Sequence, residues 1–361
     1  MANGILGAGS WETTNRTFTS LMNGDVVEGG SQRITQGLWS NNVGTLGAYY
    51  TSSAQSSTQK QYYYQIYNES PTSATAEPQF SVAYGHKAGS GSLSSNGDSP
   101  AQAIYTQFAQ VLLPPNQTTF EINSVSTNHI YVVNINTARM KDKVDVGNIE
   151  LNLAELSSSA VNSINFGANV SVSGSNKVIR LIDDSGDTYQ ALTQPGVVFN
   201  LVSGSIANGV YSPTTYYGRI YAEHGVLVLN ADTLNTQLNF NTVTASNING
   251  DNAYKLHTAI SGAHSINTSY GFAARNEEHV KSTFYFIRAR NAEYNFSNNP
   301  SFASGSSGVF TQATFVGQPN VYITTVGLYN ENQELLAVAK LSTPVLKNFQ
   351  RESLIKVKLD F

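Results

Sequence analysis

Leu354–Phe361 reads LIKVKLDF, with Ile355, Val357, Leu359 and Phe361 alternating strictly with Lys356, Lys358 and Asp360. Side chains at i and i+2 share one face of a strand, so this stretch predicts a β-strand with one apolar and one solvated face. A strand that stops on Phe361 is expected to have that end packed, within its own sheet or against a neighbour. The same period recurs toward the N-terminus. Tyr322–Tyr329 and Glu334–Leu341 flank the turn residues Asn330, Glu331 and Asn332, and Phe284–Arg290 sets Tyr285, Ile287 and Ala289 on one side. Arg219–Ala222 and Val226–Leu229 enclose Glu223-His224-Gly225, the pattern of a hairpin. Val178–Ile182 and Thr188–Leu192 enclose Asp183-Asp184-Ser185-Gly186-Asp187 in the same way, and His129–Asn136 and Ile149–Leu153 read as further strands.

One segment carries the helical period instead. Ala101, Ile104, Tyr105, Phe108, Val111 and Leu112 form a single apolar stripe. Ser99 suits the N-cap, Pro100 the first turn, and Pro114-Pro115 ends the helix. Weaker helical patterns lie near Ala231–Leu238 and Tyr254–Ser261, and the Ser- and Gly-rich stretches Tyr49–Gln61, Ala88–Ser99 and Asn298–Ser307 read as loops. The fold expected is mainly β, with antiparallel sheets of a sandwich or barrel-like kind and one clear short α-helix near residues 100–113. Four segments follow: an N-terminal arm over 1–60, a mixed segment over 61–126 with the helix, a β-domain over 127–245 and a C-terminal β-domain over 246–361. No internal repeat points to a solenoid or propeller.

Only 12% of the 361 residues are charged, against roughly a quarter in an ordinary soluble domain. Asn, Ser, Thr and Gly stand in their place, with 20 Tyr and 16 Phe. A surface of neutral hydrogen-bonding groups and aromatics suits contact with other protein, whereas a free cytosolic protein keeps apart by charge. The net charge of −4 is too small to draw nucleic acid or an anionic membrane from a distance. No run approaches the ~20 apolar residues of a membrane span. Met1–Trp11 lacks the basic and apolar regions of a signal peptide. The absence of Cys excludes disulfides, Cys-ligated metals and thiol nucleophiles.

Candidate chemistry is sparse. His86, His129, His224, His257, His264 and His279 form neither an HxH nor an HExxH pair, so structural roles are expected for them. Asp183–Asp187 has carboxylates enough to approach Ca²⁺ but lacks the spacing and the bidentate Glu of the known loop, and a polar turn accounts for it equally. Tyr84-Gly85-His86-Lys87 before Gly89-Ser90-Gly91-Ser92 has neither phosphate-loop order. No G-x-S-x-G elbow is present, and no pair of carboxylates is marked out for glycoside hydrolysis. Tyr62-Tyr63-Tyr64 with Tyr67, and Tyr216-Tyr217 with Tyr221, are suited to stacking on sugars or anchoring an interface if exposed, and to half-core strand positions if buried. Lys340, Lys347, Arg351, Lys356 and Lys358 make the last 22 residues basic, opposed by Glu352 and Asp360; this reads as a solvated strand face or a match for an acidic neighbour.

Several ordered blocks of this chain also resemble a known family. These are Tyr131–Leu153 (YVVNINTARMKDKVDVGNIELNL), Arg180–Tyr189 (RLIDDSGDTY), Phe199–Asn208 (FNLVSGSIAN), Gly218–Asn230 (GRIYAEHGVLVLN), Ser282–Phe302 (STFYFIRARNAEYNFSNNPSF) and Tyr322–Phe361. They are similar to virion structural proteins of contractile-tailed bacteriophages of the T4-like and marine cyanophage type. The resemblance runs from about Tyr131 to Phe361 and extends to Gln61–Ser92, with nothing matched before Gln61. It implies a component of the virion tail, in or beside the baseplate, made in the host cytoplasm. It carries no enzymatic activity, so no catalytic, cofactor-binding or metal-binding residue is transferred.

Composition and resemblance together predict assembly with other phage structural proteins and a homo-oligomer on three- or six-fold symmetry, with no nucleic acid and no membrane insertion. Sheet edges and chain ends are the expected joints. Ile355, Val357, Leu359 and Phe361 of the last strand are the expected contact residues, with Trp11, Phe18 and Leu21 of the Gly-rich arm Met1–Gly30. The rival expectations are a receptor- or carbohydrate-binding tail module, a glycan-degrading enzyme, and a capsid or neck decoration protein.

Overall fold

The computed structural model describes residues 3–5, 21–22, 24–39, 44–53, 63–92, 99–157, 170–186, 196–244, 252–266, 270–297, 299–304 and 309–361. The protein is mainly β, about 50% strand and 15% helix. The first elements are β1 (Asn3–Ile5), β2 (Val26–Gly37), β3 (Tyr50–Ser53), β4 (Tyr63–Tyr67), β5 (Pro78–His86), α1 (Pro100–Leu112), β6 (Phe120–Ile122) and β7 (Val125–Thr127). There follow β8 (His129–Ile135), β9 (Lys143–Ala154), β10 (Val178–Asp183), β11 (Val198–Ser205), β12 (Gly209–Tyr221), β13 (Val226–Asn230), α2 (Ala231–Leu238) and α3 (Asn252–Ile266). The last are β14 (Phe272–Ala289), β15 (Ala303–Ser304), β16 (Val309–Phe310), β17 (Val321–Tyr329), β18 (Leu335–Lys347) and β19 (Ser353–Asp360).

These elements form two compact units, Met1–Arg33 with His279–Phe361, and Ile34–Glu278. The division differs from the four consecutive segments drawn from the sequence. The reason is pairing between distant parts of the chain: β1 lies against β17, with Asn3 opposite Tyr329, so the N-terminal residues belong with the C-terminal ones.

In the larger unit the strands lie in the order β14, β9, β10, β11, β12, β13, β8, β5, β4, β3, each antiparallel to its neighbours. The hairpin expected at Glu223–Gly225 is present, with Tyr221 opposite Val226 and Gly225 at φ +63°. β10 pairs with β9 and β11, while Thr188–Leu192, expected as its hairpin partner, lie outside the described residues. Tyr50–Ser53, read from sequence as loop, is a strand paired with β4.

Central strands of this sheet are buried on both faces, which the runs HIYVVNI and VLVLN anticipate, since a strand covered on one side alone shows polar alternation. Ile130, Val132, Val226 and Val228 pack with Tyr105, Ala109 and Leu112 of α1. Tyr131, Val133, Leu227 and Leu229 pack with Leu234 and Leu238 of α2 and Leu256 and Ile260 of α3. The two weaker helical patterns are therefore helices that cover the second face. α1 lies so close to β5 that a Cβ on Gly85 would stand 2.9 Å from the Tyr105 backbone nitrogen.

The helix itself departs from its reading in two details. Ala109 is buried and Val111 is half-exposed, which shifts the apolar stripe. Ser99 does not cap with its side chain, because its hydroxyl donates to Gly89 O at 2.7 Å. Ser92 Oγ accepts from Ala101 N–H at 3.2 Å instead, so the Gly-Ser loop supplies the cap.

His257 in α3 gives this unit a defined acid sensitivity. Its Nε2 lies 3.1 Å from Tyr49 O and its other ring nitrogen is buried without a partner among the described residues. Burial pushes its pKa below 6.5, against the opposing pull of the Tyr49 carbonyl, and His86 is lowered by burial and by the neighbouring His129. Well above pH 6.5 both states hold neutral imidazole. As pH falls below that value the unfolded chain takes up protons first, so unfolding becomes easier by at most about 1.4 kcal/mol per pH unit from His257. Thermal unfolding followed from pH 7.5 to 5 should show this decline, and His257→Gln should make it shallower, leaving the part due to His86.

In the smaller unit, β1, β17 and β18 form one sheet, and β19 pairs with the second part of β14 from Ser282–Asp360 to Ala289–Ser353. Ile287, Ala289, Ile323, Val326, Leu328, Ile355 and Val357 form its core. Between β14 and β17 an excursion carries its own aromatic cluster, in which Phe302 lies 5.4 Å from Phe296, 5.5 Å from Phe310 and 4.8 Å from Phe315 between ring centres. Lys347 closes the base of this excursion. It is fully buried, and its ammonium donates to Asn291 O, Asn295 Oδ1 and Asn348 O at 3.0, 2.9 and 3.1 Å.

Candidate functional site

Strand alternation in the smaller unit decides which side chains are free to meet another molecule. Along β19, Ile355 and Val357 turn into the unit's own core and Leu359 packs against it, while Leu354, Lys356 and Lys358 face outward. Phe361 is 70% exposed, although its backbone pairs with Lys281 in both directions at 3.0 Å. Leu21 also packs against the core, and Trp11 and Phe18 lie outside the described residues. Of the expected contact residues that are described, Phe361 alone presents a largely exposed side chain. At Ile355 and Val357 the outward-facing groups are those of the strand edge, since β19 ends its sheet among the described residues.

A different set of apolar residues is exposed. Twelve of the sixteen exposed large hydrophobics among the described residues belong to the smaller unit, which is less than a third of the chain. The densest part is the start of β18. Leu328 pairs with Ala337 and Tyr329 with Leu335, so Leu336 is an extra residue at a β-bulge. The bulge interrupts the alternation and leaves neighbouring leucines exposed together: Leu335 at 52% and Leu336 at 60%, followed by Val338 at 58%. Ala337, Ala339 and Leu341 keep to the inner face. Among the described residues β18 is the last strand of its sheet, so this apolar strip runs along an edge.

Charge separates the units as well. The smaller holds ten Lys and Arg against eight Asp and Glu, net +2, and the larger ten against sixteen, net −6, which together give the chain's −4. On the outer face of the smaller unit the Lys356 ammonium sits 3.9 Å from the Phe284 ring centre and 5.7 Å from that of Phe286.

The residues singled out for chemistry are separately housed. Asp183 accepts from Gly147 N–H with both oxygens, at 2.9 and 2.8 Å, and burial raises its pKa against these bonds. Asp184 accepts from Asn200 N–H and Nδ2 at 2.8 and 2.9 Å, so both carboxylates tie strands together, and Asp187 lies outside the described residues. No group of three His, Cys, Asp or Glu side chains stands ready for a metal among the described residues. Buried Glu150, Asp145 and Glu277 each face a cation, at 3.8 Å from Arg180, 3.9 Å from Arg275 and 3.3 Å from Lys143. Tyr64, Tyr217 and Tyr221 are buried, Tyr63, Tyr67 and Tyr216 are half-buried, and Tyr62 lies outside the described residues. No described helix is long and apolar enough to cross a membrane.

Neither a family model, nor a curated protein, nor a solved structure matches this chain.

Proposed function

We propose that this protein is a non-enzymatic structural component of a tailed-phage virion, in or next to the tail baseplate, that assembles through the surface of its smaller unit. The observation that carries the reading is the gathering of exposed apolar side chains there, at the β18 bulge above all. Exposed apolar groups brought together in this way favour burial against another protein. Among the described residues β18 and β19 are edge strands, and an edge offers backbone groups that a neighbour's strand can use. A low content of charge and a difference of sign between the units suit contact between copies, or with other tail proteins, on a three- or six-fold axis. The sequence resemblance to virion proteins supplies the setting.

Mass spectrometry of washed particles from the source lysate tests this. Peptides of the chain should appear in amounts comparable to those of tail proteins, and their absence overturns the proposal.

A further inference from the structure

A second surface, on the larger unit, has a different chemistry. The β6–β7 hairpin turns at Asn123 and Ser124, both left-handed with φ +50° and +61°, which swings its tip beside β12 and α2. The three elements border a groove of about 390 Å³, within the range of roughly 300–1,000 Å³ common for small-molecule sites. Its walls carry Asn123, Thr215, Tyr216, Asp232 and Gln237, with the exposed Val125 at the rim.

The single carboxylate is held in place. Asn230 Oδ1 accepts from Asp232 N–H at 2.9 Å, and Asp232 Oδ1 lies 2.7 Å from Nε2 of the nearly buried His129. The Asp232 side chain is nevertheless 68% exposed, and its Oδ2 has no partner among the described residues. The side-chain polar groups of Asn123, Thr215, Tyr216 and Gln237 make no hydrogen bond among the described residues either, so their capacity is turned to what enters the groove.

The combination selects a ligand class. An anion would find no Lys or Arg in the lining and would meet Asp232. Ca²⁺ takes six to eight oxygens, usually with several carboxylates, and one carboxylate does not make such a cage. A wholly apolar ligand would leave five polar side chains unpaired, at about 1–3 kcal/mol for each one buried. A neutral polyol satisfies them: hydroxyls donate to the fixed carboxylate and exchange bonds with the amides and Thr215, and a ring face lies on Tyr216 and Val125. We infer that this groove binds a neutral oligosaccharide, free or as part of a cell-surface polysaccharide. The inference is independent of where the protein sits in a particle.

Saturation-transfer NMR on the full chain, with a panel of neutral hexose and N-acetylhexosamine oligomers, tests it. At least one neutral oligomer should receive transfer on its ring protons, with a Kd of about 1 mM for a small open site. Sialylated and sulfated oligomers should receive less. Asp232→Ala should weaken binding tenfold or more, and Gln237→Ala, an outward-facing change that keeps the His129 contact, should weaken it severalfold. No transfer to any neutral sugar, stronger transfer to the anionic ones, or transfer untouched by both substitutions overturns the inference. Repeating the measurement with polysaccharide from the source bacterium separates the sources: competition with the bound oligomer assigns the groove to the surface glycan, and none assigns it to free sugar.

Discussion

Lys347→Ala should destabilise the smaller unit by about 3 kcal/mol. The ammonium serves three acceptors on two segments, Asn291 and Asn295 at the start of the excursion and Asn348 after β18. Burial lowers the lysine's pKa, while the charges of Glu293 and Glu352 pull the other way and favour the protonated form. Without it, acceptors lose their donor at about 1–3 kcal/mol each where water does not replace it, and a buried aliphatic stem worth ~0.8 kcal/mol per methylene is gone. Asn291 is exposed and its carbonyl can be re-solvated, which holds the total near the lower end. For a unit of this size, that loss lowers its melting temperature by roughly 12 °C or more. Lys347→Met keeps the stem and should recover part of the loss. Calorimetry checks both, and a shift of only a degree or two would mean that the lysine is not the clasp of the excursion.

Leu336→Glu combined with Val338→Glu should leave the protein folded and reduce its incorporation into particles at least 100-fold. Both side chains point away from the core, and surface changes of that kind move stability by only about ±0.5 kcal/mol. At an interface the same two changes forfeit apolar burial and place two carboxylates where they must be desolvated, which costs upward of ~3 kcal/mol, or two powers of ten. Supplying the variant in trans during infection and measuring its share of washed particles against wild type checks this. Equal incorporation would remove the β18 strip from the assembly surface.

Much of the architecture was legible because it is local. Period two marks β14, β17, β18 and β19, Glu223–Gly225 marks a turn, and Pro100 with Pro114-Pro115 brackets α1. What the pattern does not carry is which distant elements meet. The pairing of β1 with β17, which places the first residues with the last, has no signature along the chain. Nor has the bulge at Leu336, because a single extra residue in LLAVAK reads as ordinary alternation with one apolar neighbour too many. Ile355, Val357 and Leu359 were correctly read as one apolar face. Their destination, the unit's own core, depends on β17 and β18 packing over them, which strand period cannot report.

The groove was illegible for the same reason. His129 and Asp232 stand 103 residues apart, and Asn123, Tyr216 and Gln237 come from three elements. Tyr216 drew attention as part of a tyrosine cluster, but Tyr217 beside it is buried, and only strand alternation in the folded sheet separates the two.

The most direct measurement is immunogold labelling of intact particles from the source lysate, with an antibody raised against the folded protein and viewed by electron microscopy. Gold at the distal end of the tail is the predicted result. Gold confined to the head or neck contradicts a place at the baseplate, and unlabelled particles that also lack the chain's peptides contradict a structural role in the virion.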